Sequence, residues 1–288
     1  MMSAHTHQCW REAPTAPGLL YEGPRWIPER DLFQWVDILG HSILRWNPYT
    51  SSPVERRELP LEFVSVALPM SPSQSIVASR NTLHLYDWDT EALSQIAELE
   101  FADDIRFNDG GISPTGDVYI GTMSIDGRPA AGTLYKLAKA GDLEPILAGV
   151  TISNGLAWRS SDSAFYVDSA LPQIQLLTWP EAHGDRPPQR SVFVDLNGED
   201  EPDGLTVTPD GDLLVAIWQG SVIRRFSSQG EHVDDYPVPA TFPTSVAIGG
   251  RNKEFTFITT AQHAEPGLPP RYGDGRAYYC DVRSHENG

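Results

Sequence analysis

Three observations predict an all-β fold. Twenty-four glycines and 24 prolines are spread along the whole 288-residue chain, which argues against long helices. Short stretches rich in Val, Ile, Leu, Phe, Tyr and Trp alternate with turn signals such as Pro114-Thr115-Gly116-Asp117 and Pro209-Asp210-Gly211-Asp212, and no stretch sustains a 3.6-residue apolar period. A short polar residue followed by glycine and then a strand recurs at Asn108, Asn154 and Asp203, and the same phase is found at Glu22, Val64 and Thr244. Successive anchors lie 41 to 49 residues apart, the period of a four-stranded blade. Six such repeats predict a six-bladed β-propeller.

Residues 1–8 are polar, hold two histidines and are expected to form a disordered tail before one propeller domain over 9–288. Gln8–Glu12 is predicted to supply the outer strand of the last blade and so close the ring. Blade one begins at Glu22-Gly-Pro-Arg-Trp. Blade two, over 61–100, is the least regular, and its anchor Val64 is apolar. Blades three to six begin at Asn108, Asn154, Asp203 and Thr244. Glu181–Arg190 and Ala261–Gly275, with clustered Pro, Gly and charge, read as surface loops. Tryptophans 26, 46, 88, 158, 179 and 218 fall mostly inside strands and are expected to pack between blades. Cys9 and Cys280 fall in the two strands that would close the ring; in a reducing compartment two free thiols are expected there.

Composition narrows the function classes. With 21 Lys+Arg against 39 Asp+Glu the formal net charge is −18, which repels phosphate backbones and anionic headgroups, so neither nucleic acid nor a membrane is an expected partner. A hydrophobic content of 40% is too high for a disordered acidic chain. No apolar run approaches the ~18–20 residues needed to cross a bilayer. With no apolar signal-peptide core at the N-terminus and no cysteine framework, a cytoplasmic protein is expected. Propellers expose few strand edges, which suits a monomer or a homodimer.

In a propeller, equivalent positions of successive blades lie on a ring, so the anchors should meet at one mouth of the central channel. Four of them carry oxygen donors: Glu22, Asn108, Asn154 and Asp203. A Glu, an Asn and an Asp without nearby His or Cys form a hard-oxygen set that suits Ca²⁺, Mg²⁺ or Mn²⁺, with Zn²⁺ less natural. The bland alternative stays open at this level, because Asn-Gly and Asp-Gly are also common turn dipeptides that need no ligand. Glu22, a poor turn residue, keeps the metal reading in play. No nucleophile elbow, phosphate loop or dinucleotide fingerprint is present.

The same segments carry a likeness. Arg106-Phe-Asn-Asp-Gly, Ser113-Pro-Thr-Gly-Asp, Gly121-Thr-Met, Ile152-Ser-Asn-Gly-Leu-Ala-Trp, Tyr166-Val-Asp-Ser and Pro202-Asp-Gly-Leu strongly resemble the senescence-marker-protein/gluconolactonase (regucalcin-like) family. Glu22-Gly-Pro-Arg-Trp, Trp35-Val-Asp-Ile and Pro243-Thr-Ser-Val-Ala-Ile-Gly-Gly extend the resemblance over about residues 9 to 282. It implies one divalent cation, Ca²⁺ ahead of Mg²⁺, Mn²⁺ or Zn²⁺, held by Glu22, Asn154 and Asp203, and hydrolysis of a sugar lactone to the aldonic acid. It also implies that Asp203 is the catalytic carboxylate and that Arg106 and Asn108 bind substrate. Asp126 stands where the family carries a substrate-contacting Glu, a shorter side chain here. Three alternatives remain beside it: a metal-dependent phosphotriesterase, whose sites generally add carboxylates or histidine not found here, a non-catalytic cation-binding propeller, and a metal-free strictosidine-synthase-like condensing enzyme.

Overall fold

In the computed structural model, which describes residues 10–138, 141–180, 187–198, 200–262 and 271–281, the alternating segments become 24 strands with no helix among the described residues. The N-terminal strand is β1 (Arg11–Glu12). Blade one holds β2 (Tyr21–Ile27), β3 (Leu32–Asp37), β4 (Ser42–Trp46) and β5 (Glu55–Glu58). Blade two holds β6 (Val66–Pro69), β7 (Gln74–Ala78), β8 (Thr82–Asp87) and β9 (Leu93–Glu98). Blade three holds β10 (Ile105–Ile112), β11 (Val118–Ser124), β12 (Gly132–Leu137) and β13 (Leu143–Val150). Blade four holds β14 (Ser153–Trp158), β15 (Ser163–Asp168), β16 (Gln173–Thr178) and β17 (Gln189–Asp195). Blade five holds β18 (Glu201–Val207), β19 (Leu213–Trp218), β20 (Val222–Phe226) and β21 (His232–Pro237). Blade six holds β22 (Pro243–Gly249), β23 (Phe255–Thr260) and β24 (Ala277–Asp281), with β1 as its fourth strand.

Every sheet is an antiparallel meander of four strands. The ring is closed as expected, since Arg11 and Glu12 pair with Tyr279 and Tyr278. Trp10 Nε1 donates to Pro237 O at 2.7 Å, and Arg276 pairs with Glu12 at 2.6 Å. Cys280 is disulfide-bonded, which corrects the expectation of a free thiol at that position; Cys9 lies outside the described residues. The expected tail 1–8 and most of the two expected loops, at 181–186 and 263–270, also lie outside them. The second expected loop includes turn residues 271–275, whereas Gln189 and Arg190 already belong to β17.

Burial falls outward along each blade, from β10, nearly all buried, to the largely exposed outer strands β5 and β17. Six apolar clusters fill the seams between adjacent blades. Phe165 and Val167 of blade four, for example, pack on Leu213 and Val215 of blade five. Across the closing seam, Phe33 stacks on Phe257 with centroids 4.6 Å apart. Trp46, Trp88 and Trp179 lie in such seams, as expected, whereas Trp218 faces the central channel.

The innermost strands share one irregularity. In β2, β10, β14 and β18 two residues oppose one on the neighbouring strand: Gly23 and Pro24, Asn108 and Asp109, Asn154 and Gly155, and Asp203 and Gly204. A register shift of one residue also occurs at Thr244 in β22. Such bulges break the alternation of side chains and re-aim the residues at the break. The Asn-Gly and Asp-Gly dipeptides are therefore strand bulges, and the turn reading does not hold. Their glycines are needed because neighbouring inner strands crowd them. A Cβ on Gly155 would lie 2.7 Å from the Asp203 carbonyl oxygen, and one on Gly204 would lie 2.0 Å from Ser245 Oγ. Gly204→Ala should therefore destabilise the protein by about 1–3 kcal/mol. Thermal unfolding of the variant is the measurement, and an unchanged Tm would contradict this account of the seam.

Candidate functional site

Because all six inner strands run the same way along the channel, residues at their starts share one mouth and residues at their ends share the other. The end of the ring at the starts encloses a cavity of about 190 Å³ lined by Glu22, Arg106, Asn108, Asn154, Asp203 and Ser169, with Leu20, Ile38, Met123, Ile152, Glu201 and Trp218. The opposite mouth holds a larger cavity of about 480 Å³ lined mainly by Leu68, Ile112, Leu156, Trp158, Leu205, Val246 and Ile248, with Arg25 and Lys253 and no carboxylate. Its volume is greater, but the reactive groups line the smaller one.

Five of the six candidate residues thus converge, and all five are 5 to 8% exposed. Each is placed by its bulge or just before it. Glu22 ends the regular pairing of β2 with Val36, and Gly23 N–H, next in the chain at φ 54°, donates to Glu22 Oε2 at 2.9 Å. Asn154 Nδ2 donates to Ser169 Oγ at 3.0 Å, which leaves its Oδ1 as the group not hydrogen-bonded. Asp203 Oδ1 is likewise buried without a partner. Arg106 Nη1 donates to Asn108 Oδ1 at 2.8 Å and to Phe107 O at 2.9 Å, and Asn108 Nδ2 donates to Ser153 O at 3.0 Å. Asp126 is elsewhere: it lies exposed in the turn after β11 and does not line the cavity, because the chain leaves the mouth after Met123. Val64 is buried in the seam between blades one and two and offers no donor.

Two carboxylates in one buried cavity perturb each other. Burial, and then the charge of Asp109, push the Glu22 carboxyl up to about 8 against the opposing pull of Gly23 N–H, Arg25 and Arg106. Asp203 is raised well above the usual carboxylate range by burial, then by Glu22 and Asp109, with the Asn154 amide and Gly204 N–H opposing. Burial also lowers the Arg106 guanidinium to about 10, which leaves it cationic at neutral pH. Unpartnered buried oxygens are costly unless something satisfies them. The donor set of two carboxylates and one amide oxygen fits a hard divalent cation, whose charge would cancel theirs. Among the described residues no three His, Cys, Asp or Glu side chains form a metal-holding group.

The same contact recurs at the rim of blades one and four. Asp37, at the end of β3, accepts from Leu19 N at 3.1 Å and Leu20 N at 3.0 Å. Asp168, at the end of β15, accepts from Thr151 N at 3.0 Å and Ile152 N at 2.9 Å. Leu20 and Ile152 line the cavity, so these two carboxylates, in the Trp-Val-Asp-Ile and Tyr-Val-Asp-Ser segments, shape its wall. Gly121 is obligatory because a Cβ there would lie 1.9 Å from Ser153 Oγ. Sequence reasoning missed Ser169, which orients Asn154, and Asp109, which perturbs both acids. Both stood inside quoted segments, and the signal for Asp109 was its place beside Asn108 at a break in strand alternation.

A carboxyl raised in the folded state binds its proton more tightly there than in the unfolded chain, so its stabilisation is complete below about 4.5 and is lost as pH rises through about 8. In chelator, the Tm of the wild-type protein should fall across this window more than that of Glu22→Gln. Equal slopes for the two proteins would contradict the burial of an ionisable Glu22.

Residues 20–262 match the family described as SMP-30/Gluconolactonase/LRE-like region. YvrE of Bacillus subtilis, provisionally named a sugar lactone lactonase, is 30% identical over 83% of this chain and 82% of its own length. Regucalcin of Oryctolagus cuniculus is 31% identical over 86% of this chain and 84% of its own. The crystal structure of regucalcin from Agrobacterium tumefaciens, titled a calcium-binding protein, superposes with a TM-score of 0.82 at 27% identity, covering 92% of this chain and 90% of that one. By its blade repeat, its ring closure and this match, the chain belongs to the SMP-30/gluconolactonase/LRE-like family.

Proposed function

We propose that this protein hydrolyses a small sugar lactone to its aldonic acid with the help of one divalent cation, Ca²⁺ first among the candidates. The observation that carries this reading is the pair of buried, unpartnered oxygens, Asn154 Oδ1 and Asp203 Oδ1, in the same cavity as Glu22. The relatives named as regucalcin and as a sugar lactone lactonase support it. A cavity of about 190 Å³ is below the ~300–1,000 Å³ of drug-sized sites and suits a single small ring.

Glu22, Asn154 and Asp203 would hold the cation. When bound, it would polarise the lactone carbonyl as a Lewis acid. The chain supplies the rest. Asp203, a carboxylate in the wall of the cavity, can take the proton of the attacking water and return it to the ring oxygen as the C–O bond breaks. Arg106 is held by Asn108 Oδ1 and Phe107 O, so its remaining donors and the Asn108 amide are positioned to orient hydroxyl groups of the ring. Trp218, Met123 and Ile152 add apolar surface to the cavity wall, which strengthens these polar contacts.

The test is acid release from glucono-, galactono-, xylono- and arabinono-lactones after chelation, with cations added back one at a time. Opening of at least one lactone that depends on the added cation is the expected result; inactivity with every cation overturns the reading. Asp203→Asn should reduce kcat by at least about 100-fold and weaken cation binding, and full activity at saturating cation would remove its double role. Arg106→Ala should raise KM, with a loss of about 1–3 kcal/mol for each buried hydrogen bond removed. An unchanged KM across the four lactones would take Arg106 out of the substrate site. A second reading, cation binding without turnover, draws on the Agrobacterium relative, which is described as a calcium-binding protein. Cation binding with no lactone opened would decide for it.

A further inference from the structure

Between the two cavities lies an ion pair that the reaction does not use. Arg25, on β2 of blade one, bypasses blade two and reaches blade three, where its Nη2 donates to Gly110 O at 2.7 Å and to Asp109 Oδ1 at 3.3 Å. Its Nη1 donates to Pro24 O at 2.9 Å. Asp109 is 5% exposed, and its Oδ1 also accepts from Gly110 N at 2.7 Å. Asp109 is therefore a third buried carboxylate in the channel, outside the small cavity. Only Gly23 separates it from Glu22: a Cβ on Gly23 would lie 3.9 Å from Asp109 Oδ1, while Gly23 N–H holds Glu22 Oε2. Arg25 in turn lines the large cavity at the opposite mouth, with its side chain 24% exposed.

We propose that Arg25 and Asp109 are a matched pair of positioning charges that sets the cation affinity of the cradle, with Asp109 strengthening it and Arg25, reaching in from the opposite mouth, holding that effect in check. The proposal rests on the reading of Glu22, Asn154 and Asp203 as a cation cradle. Asp109 does not enter the cavity, so it acts through its field and contributes no ligand. The field reaches the cradle at Glu22, because Asp109 Oδ1 lies just across Gly23 from it and Arg25 holds that same oxygen. Burial keeps the interaction strong, because solvent screening is weak inside the channel.

The two charges predict opposite outcomes, which a purely structural role does not. Ca²⁺, Mg²⁺ and Mn²⁺ are titrated calorimetrically into chelator-treated protein at pH 8, each variant being checked by thermal unfolding in chelator. Arg25→Met should tighten Kd by roughly tenfold and Asp109→Asn should weaken it by roughly tenfold, the scale of one charge acting on a divalent ion through a partly buried medium. The double variant, which removes both charges, should return near wild type, and Arg25→Lys, which keeps the charge, should stay there. Loss of affinity in both single variants, or no change in either, overturns the proposal while leaving the cradle intact. If Arg25→Met does not fold, Asp109→Asn and Arg25→Lys still decide, because weakening in the first without change in the second is required. Wild-type protein that binds none of the three cations overturns the cradle and this inference together.

Discussion

Two carboxylates held in one buried cavity are the constraint on which the site depends. Glu22 and Asp203 are more than 180 residues apart in the chain, yet closure of the ring brings them to one mouth where neither is well hydrated. Left alone they favour the protonated state, which is the reason Glu22 is raised to about 8. Folding therefore creates an electrostatic demand that a divalent cation would meet. An ion held by these two side chains would stabilise the native ring by mass action.

The demand exists because the inner strands are bulged. A regular strand would send successive side chains to opposite faces, toward alternate seams between blades. The two-against-one register at Asn108, Asn154 and Asp203 breaks that alternation where the strands enter the channel. Glycine follows the acid or amide at Asn154 and Asp203 because the next blade's inner strand lies within contact of its Cα. The same small residues thus serve packing and site geometry. Blade two, whose short strand β6 has no bulge, contributes no polar group to the cavity. Its role is to pass apolar packing from blade one to blade three, and the space over its inner strand is crossed by Arg25.

The clearest part of the sequence was its repeat. Blade boundaries followed from anchors spaced by one blade each, and pairing of the N-terminal segment with the last blade followed from the need to close a ring. Glu22, Asn108, Asn154 and Asp203 were legible for the same reason: equivalent positions in a repeat must share one mouth, whereas Arg106 was named only through the family likeness. Asp126 was named through the family likeness, and the turn at Ile125 carries it to solvent. Asp109 and Ser169 were hidden because alternation and spacing say nothing of what touches a bulge or an amide from a neighbouring strand. The state of Cys280 likewise could not be read from composition.

The order of the elements and the chemistry of the anchors are local properties, and the amino-acid sequence alone determined them: short alternating strands, turns of Gly and Pro, and one oxygen-bearing residue at the start of most blades. Which oxygens remain unsatisfied, which amide faces the cavity and which arginine meets the third carboxylate across the channel were decided only by tertiary structure. Each of these depends on distances between strands of different blades, and such distances are set by how six apolar seams pack around a ring, a collective property to which every blade contributes.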